Sequence, residues 1–243
     1  MRLNKYLAHS GVAARRKADE LIISGRVHVG GCKVTSPGIE IGEDDLVEVD
    51  GHPVEPLGDK VVYLLHKPAG LISSVTDQRG RSTVVDIIND RRRLYPVGRL
   101  DRDTTGALLI TNDGELANLL THPRYGVEKH YLAEVKGRLN PRTISQLGKG
   151  TTINGGMKIK ARIEEAARSR WQTCYHLTLT EGKNREIKRL FRHFGLPLIK
   201  LHRSSFAGLS ADGLSPGKYR RLRQTEVTAL YRLAAPKKNS QTT

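Results

Sequence analysis

Residues 51–60, Gly-His-Pro-Val-Glu-Pro-Leu-Gly-Asp-Lys, carry two prolines and two glycines between two segments that each have their own apolar patterning. Proline removes a backbone donor and glycine relaxes the chain, so no long helix or central strand is expected to run through this stretch. The chain is therefore expected to fold as a small module over residues 1–50, a somewhat stiff linker over 51–60 and a larger domain over 61–234. The polar tail, 235–243, is expected to be disordered.

In the first module, Leu3 and Leu7 share a helix face, and Gly11 reads as the stop. A second helix is expected from Ala13 to Ser24, with Arg15, Arg16 and Lys17 in its first turn and Gly25 closing it. Arg26-Val27-His28-Val29 and Cys32-Lys33-Val34 flank Gly30-Gly31, a two-residue hairpin signal. Leu46-Val47-Glu48-Val49 reads as a last strand. Residues 1–33 hold seven basic and two acidic side chains, whereas 34–50 hold six acidic and no basic ones. The helices thus present a cationic face. Arginines at a helix N-terminus oppose the macrodipole, and a phosphate would offset that repulsion; a solvated helix face is the plainer alternative.

The whole chain is basic, with 41 Lys plus Arg against 25 Asp plus Glu and a formal charge of +16. Such a surface concentrates polyanions. Nucleic acid is the first candidate partner and an anionic membrane the rival, but no apolar run approaches the roughly 20 residues that span a bilayer. Met1-Arg2-Leu3-Asn4-Lys5 lacks the apolar core of a signal peptide, so a cytoplasmic protein is expected. Cys32 and Cys174, far apart and without a CxxC, read as reduced packing residues. A monomer is expected, since no long exposed apolar stripe is evident.

Beyond the linker, Val61–Leu65, Ala107–Thr111, Tyr131–Val135 and Tyr175–Thr180 read as strands. Val84–Asp90, Glu115–Thr121, Thr143–Leu147 and Glu186–Phe194 read as helices, with Asn112-Asp113-Gly114 as a turn capping the second. Strands and helices mix without a βαβ rhythm. The expected class is α+β, with a mainly antiparallel sheet flanked by helices.

Three pieces carry chemistry. Gly98-Arg99-Leu100-Asp101 places a carboxylate between a loop signal and the apolar run Ala107-Leu108-Leu109-Ile110. Arg99 and Arg102 flank it and favour its ionised form, suited to a nucleophile or general base; taken alone, it equally fits a surface turn. Asp103 beside it reads as turn chemistry. Tyr131, in Glu128-Lys129-His130-Tyr131, fits a ring stacked on an extruded base, although most strand tyrosines simply pack. Glu181-Gly182-Lys183-Asn184-Arg185-Glu186-Ile187-Lys188-Arg189 opens a basic helix. If it starts near Asn184, then Arg185, Lys188, Arg189 and Arg192 form one cationic face. Lys188 would pair with a carboxylate while the others meet phosphates. Lys200, His202, Arg203, Lys218, Arg220, Arg221 and Arg223 add further basic patches.

The N-terminal run, from Arg2-Leu3-Asn4-Lys5-Tyr6-Leu7-Ala8 through Gly11-Val12-Ala13-Ala14-Arg15-Arg16-Lys17 to Gly25-Arg26-Val27-His28-Val29-Gly30-Gly31, resembles an S4 RNA-binding domain. The remaining motifs resemble RNA pseudouridine synthases of the RsuA/RluB type: Lys67-Pro68-Ala69-Gly70, Gly98-Arg99-Leu100-Asp101, Thr111-Asn112-Asp113-Gly114-Glu115, Glu128-Lys129-His130-Tyr131 and the basic helix start. The likeness runs nearest to the RluB branch, which acts on large-subunit (23S) rRNA. It implies isomerisation of uridine to pseudouridine in rRNA, free or in an assembling particle, with no cofactor and no metal. It implies Asp101 as nucleophile, Tyr131 stacked on the uracil, and Lys188, where many relatives have Arg, paired with the aspartate. Arg99 would fill the gap left by the flipped nucleotide, and Leu100 and Ile187 would form apolar pocket wall. Glu186 stands where the family usually has Gln and puts a negative charge beside the site. Ala107 replaces a common Leu.

Two other classes remain open from the residues alone. A non-catalytic RNA-binding or ribosome-assembly factor would explain the charge, but needs no carboxylate among phosphate-binding cations. A metal-dependent nuclease would need clustered carboxylates, which the residues near Asp101 do not suggest.

Overall fold

The computed structural model describes residues 1–42, 44–56 and 58–233; the expected disordered tail lies outside them. The described chain divides into two units, Met1–Lys60 with Asp90–Leu94, and Val61–Asn89 with Tyr95 onward.

In the first unit the helices are α1 (Leu3–His9) and α2 (Arg15–Ile23), and the strands are β1 (Val27–Val29), β2 (Cys32–Val34), β3 (Val47–Val49) and β4 (His52–Pro53). Leu3 and Leu7 are fully buried against Ala18 and Ile22, so each helix hides one stripe and leaves its cations outside. Gly30 and Gly31 take φ of 56° and 78°, the left-handed values a two-residue hairpin requires, and Val29 faces Cys32 across the turn. The four strands pair in the order β2-β1-β3-β4. The sheet thus runs further than expected. His52-Pro53, read from sequence as linker, pairs with β3, and the Tyr6 hydroxyl donates to the Val54 carbonyl at 3.0 Å. Proline is tolerated there because β4 is an edge strand.

The second unit contains β5 (Val62–Lys67), β6 (Tyr95–Pro96), β7 (Thr105–Thr111), α3 (Gly114–Thr121), β8 (Lys129–Lys136), α4 (Pro141–Lys149), β9 (Thr151–Ile153), β10 (Met157–Ile159), β11 (Arg162–Arg168), β12 (Gln172–Leu179), α5 (Glu186–His193), β13 (Leu198–Phe206), β14 (Leu209–Ser210), β15 (Tyr219–Arg221) and α6 (Gln224–Leu233). The large sheet runs β11-β12-β8-β13-β7-β5-β15, with β14 on β13 and β6 on β7. Its pairings are antiparallel except β13 on β7, so the α+β expectation describes the observed architecture. Ala133, Val135, Tyr175, Leu177 and Leu179 pack against Ile187, Leu190 and Phe191 of α5. Val62, Leu64, Ala107 and Leu109 pack with Leu116 and Leu120 of α3 and with Leu230 of α6. Asp113 caps α3 as expected, accepting from the Glu115 and Leu116 amides.

One expected helix is absent. Residues 84–90 form turns and bends; Asp86 Oδ2 accepts from the Thr83 amide at 2.7 Å, and the Val84 amide donates to the Ile72 carbonyl at 2.9 Å. No described helix is long and apolar enough to cross a membrane.

The parallel seam demands one glycine. Gly106 has φ of 110°, and a Cβ there would lie 2.1 Å from the Arg203 carbonyl oxygen. Gly106→Ala is expected to destabilise the fold by about 3 kcal/mol through strain and forced separation of β7 and β13, read as a lowered midpoint in urea unfolding.

Candidate active site

The loop bearing Asp101 is short, and the segment 67–73 holds it from beneath. Lys67, at the end of β5, is 0% exposed. Its Nζ donates to the carbonyls of Pro68 (3.0 Å), Arg102 (3.2 Å) and Thr104 (2.9 Å). The Gly70 amide donates to the Arg102 carbonyl at 2.8 Å. The Ser73 hydroxyl donates to the Leu100 carbonyl at 2.9 Å and accepts from the Leu100 amide at 3.1 Å. The loop then turns on a Thr104 amide to Asp101 carbonyl bond of 3.1 Å, with Gly98 at φ 72°. An otherwise irregular segment is thus held by bonds to most of its carbonyls, which is what orients the aspartate.

Tyr131 enters from β8 and Lys188 from α5. With Asp101 they line one open cleft of about 490 Å³, together with Arg99, Leu100, Arg185 and Ile187. Lys188 Nζ lies 3.0 Å from Asp101 Oδ2, and its side chain is only 11% exposed. Lys188 also bonds the Asp103 carboxylate, so one ammonium serves two acids. Asp103 is therefore more than the turn residue expected from sequence. Burial raises its pKa, but the Lys188 hydrogen bond and the Lys188 and Arg185 charges outweigh burial and hold it below its usual value.

The helix starts at Glu186, as its expected range has it, and not near Asn184, the start on which the four-cation face depended. Arg185 is its N-cap, at φ 50°. Arg185 thus leaves the helical face and turns toward Asp101, with Nε 3.9 Å from Oδ2. Arg185, Lys188 and Arg192 line an adjacent groove of about 800 Å³ that runs past Asp103 to Leu198. Arg189 is exposed and lines neither cavity. In the first unit Arg15, Arg16 and Lys17 are exposed on the first turn of α2, which has no side-chain cap and no acidic residue. Lys17 pairs with Glu20 at 2.6 Å, and Arg15 reaches Asn4 at 3.4 Å.

Three sequence readings change. Arg203, placed among the surface cations, is 2% exposed; its Nε donates to the Ala107 carbonyl at 2.7 Å and its guanidinium lies over the Phe206 ring. Arg220 is taken up by Glu226 at 2.7 Å. Glu186 turns inward: Oε2 accepts from the Lys183 amide at 3.1 Å, and Oε1 is buried without a hydrogen bond. Burial pushes its pKa up, against the Lys183 hydrogen bond and the charges of Lys183 and Lys129.

A model described as RNA pseudouridylate synthase matches residues 61–193 and an S4 domain model matches residues 1–47. This chain belongs to the RNA pseudouridylate synthase family. The synthase is 43% identical over 242 residues to the ribosomal large subunit pseudouridine synthase B of Bacillus subtilis, covering 98% of this chain and 99% of that one. It is 34% identical to the dual-specificity RNA pseudouridine synthase RluF of Escherichia coli K12, over 96% of this chain and 79% of that protein. A crystal structure titled as a pseudouridylate synthase superimposes with a TM-score of 0.68 at 27% identity, over 95% of this chain and 99% of that one.

Sequence reading saw Lys67 only as part of a turn motif, because nothing local marks a lysine as buried; Ser73 escaped altogether. Burial pulls the Lys67 pKa down to about 8, against the opposing charges of Asp103 and Asp101. In the unfolded chain the same lysine titrates near its ordinary value of about 10.4. From pH 8 toward pH 10 the unfolded state therefore holds a proton that the folded state has released, and stability rises with pH. Lys67→Met should abolish that contribution: in urea unfolding the wild type should gain stability relative to the variant across this window.

Proposed function

We propose that this synthase isomerises a uridine of ribosomal RNA, most specifically of the large subunit, with Asp101 as nucleophile. The observation that carries the reading is the meeting of Asp101, Tyr131 and Lys188 in one cleft, with Lys188 Nζ 3.0 Å from the aspartate oxygen. The near full-length likeness to a large-subunit enzyme supports the choice of substrate.

The uridine leaves its stack at a cost of a few kcal/mol, which phosphate contacts offset. Arg99, exposed at the cleft rim, takes the space the nucleotide vacates. Tyr131 stacks on the uracil against the apolar wall of Leu100 and Ile187. The Asp101 carboxylate attacks at ribose C1′ or at uracil C6. On either route the N1–C1′ bond breaks, the base turns, a C5–C1′ bond forms, and the bond from Asp101 to C1′ or C6 breaks to return the free carboxylate. The proton lost from C5 is balanced by one gained at N1, so no redox partner or phosphoryl donor enters. Lys188 holds the carboxylate oriented before attack. Arg185 and Arg192 meet phosphates along the adjacent groove, and Arg189 meets one from the outer face of α5. Arg15, Arg16 and Lys17 complete a second phosphate-binding surface at the uncapped start of α2. The enzyme acts as a cytoplasmic monomer.

Asp101→Asn should cut tritium release from rRNA labelled at uridine C5 by at least about 10³-fold while filter retention of the RNA persists. Wild-type release by that variant would remove Asp101 from the mechanism. Tyr131→Phe should lower turnover less, because the stacking ring remains. Replacing Arg15, Arg16 and Lys17 together by Ala should flatten the log–log salt dependence of RNA binding by about 2, and an unchanged slope would exclude these residues from phosphate contact.

A further inference from the structure

The chain has one tryptophan, and it is not in the core. Trp171 is 70% exposed at the turn joining β11 to β12. The turn is rigid. The Ser169 amide donates to the Gln172 carbonyl at 2.9 Å, the Gln172 amide donates to Ser169 Oγ at 3.2 Å, and the Gly137 amide donates to the Trp171 carbonyl at 3.0 Å. Arg170 packs its guanidinium 4.8 Å from the centre of the indole ring. Exposed Arg168 lies one step before this turn, and exposed Lys136 pairs in register with Gln172 one step after it. The acidic side chain of Glu165 is already engaged by Arg138 at 2.9 Å.

A large aromatic ring held in water on a fixed turn, backed by one guanidinium and flanked by two more cations, matches the way proteins hold an unstacked base beside its phosphate. We infer that Trp171, with Arg168 and Arg170, is a further RNA-binding point that stacks on an unpaired base of the substrate. It lies at the opposite end of β12 from Leu179, which lines the catalytic cleft, about 26 Å along the strand. The base it takes therefore belongs to a nucleotide remote from the flipped uridine, and the contact sets substrate choice rather than chemistry. This inference rests on the rRNA reading above.

A sole tryptophan makes the test direct. An in vitro transcript of large-subunit rRNA, titrated onto the full chain, should quench its emission; heparin, a polyanion without bases, should bind without comparable quenching. Trp171→Ala should raise KM for tritium release about tenfold, with the loss in KM rather than kcat, and Trp171→Phe should recover most of the affinity. Equal quenching by heparin, unquenched emission with RNA that is bound and modified, or a KM for Trp171→Ala unchanged from wild type would each overturn the inference and leave the rRNA reading standing. Absence of any binding or modification of the transcript would overturn both.

Discussion

The geometry of the loop that carries Asp101, the proposed nucleophile, depends on a buried ammonium group. Lys67 Nζ spends all three of its donors on backbone carbonyls, two of them in the loop that follows Asp101. A lysine buried this deeply loses its hydration, and that loss is the main cause that pulls its pKa down to about 8. Asp101 and Asp103 supply part of the compensation, since both carboxylates favour the charged lysine. The dependence is mutual: the lysine shapes the loop, and the acids the loop presents help keep the lysine charged.

The same region shows how the sheet delivers the other partners. The parallel pairing of β13 with β7 at Arg203 and Gly106 is closer than any side chain at position 106 would allow. In the same ladder Arg203 pairs with Tyr131 of β8. One seam therefore fixes the distance between the strand that follows the aspartate and the strand that carries the phenol. The Arg203 side chain reaches the Ala107 carbonyl and stays out of solvent, so a cation that looks like an RNA contact in the sequence is part of this seam. Lys129 behaves alike: its Nζ donates to the Val127 and Thr180 carbonyls, and burial lowers its pKa to about 8.

The parts legible in the sequence were those whose signals are local. The Gly30-Gly31 hairpin, the Asp113 cap and the continuous apolar strand from Ala107 needed no knowledge of distant residues. The three residues proposed for chemistry were legible as motifs, and the structure brings them to one cleft. What stayed hidden was non-local. Residues 84–90 have helix-compatible spacing, but the Val84 amide is tied to the distant Ile72 carbonyl and the segment folds as turns. Strand β13 reads as polar because Lys200, His202, Ser204 and Ser205 interrupt it, and its buried arginine has no apolar signature. Helix α6 was missed although Val227, Leu230 and Tyr231 recur at helical spacing, a signal that was available.

Lysine rather than arginine at position 188 follows from the company it keeps. Two carboxylates, Asp101 and Asp103, approach the same cation from different sides. A guanidinium is a planar fork that suits one carboxylate bidentately, whereas an ammonium is a compact charge with three independently directed donors. The ammonium can hydrogen-bond Asp103 and still lie 3.0 Å from the Oδ2 of the proposed nucleophile, which places one cation against both acids.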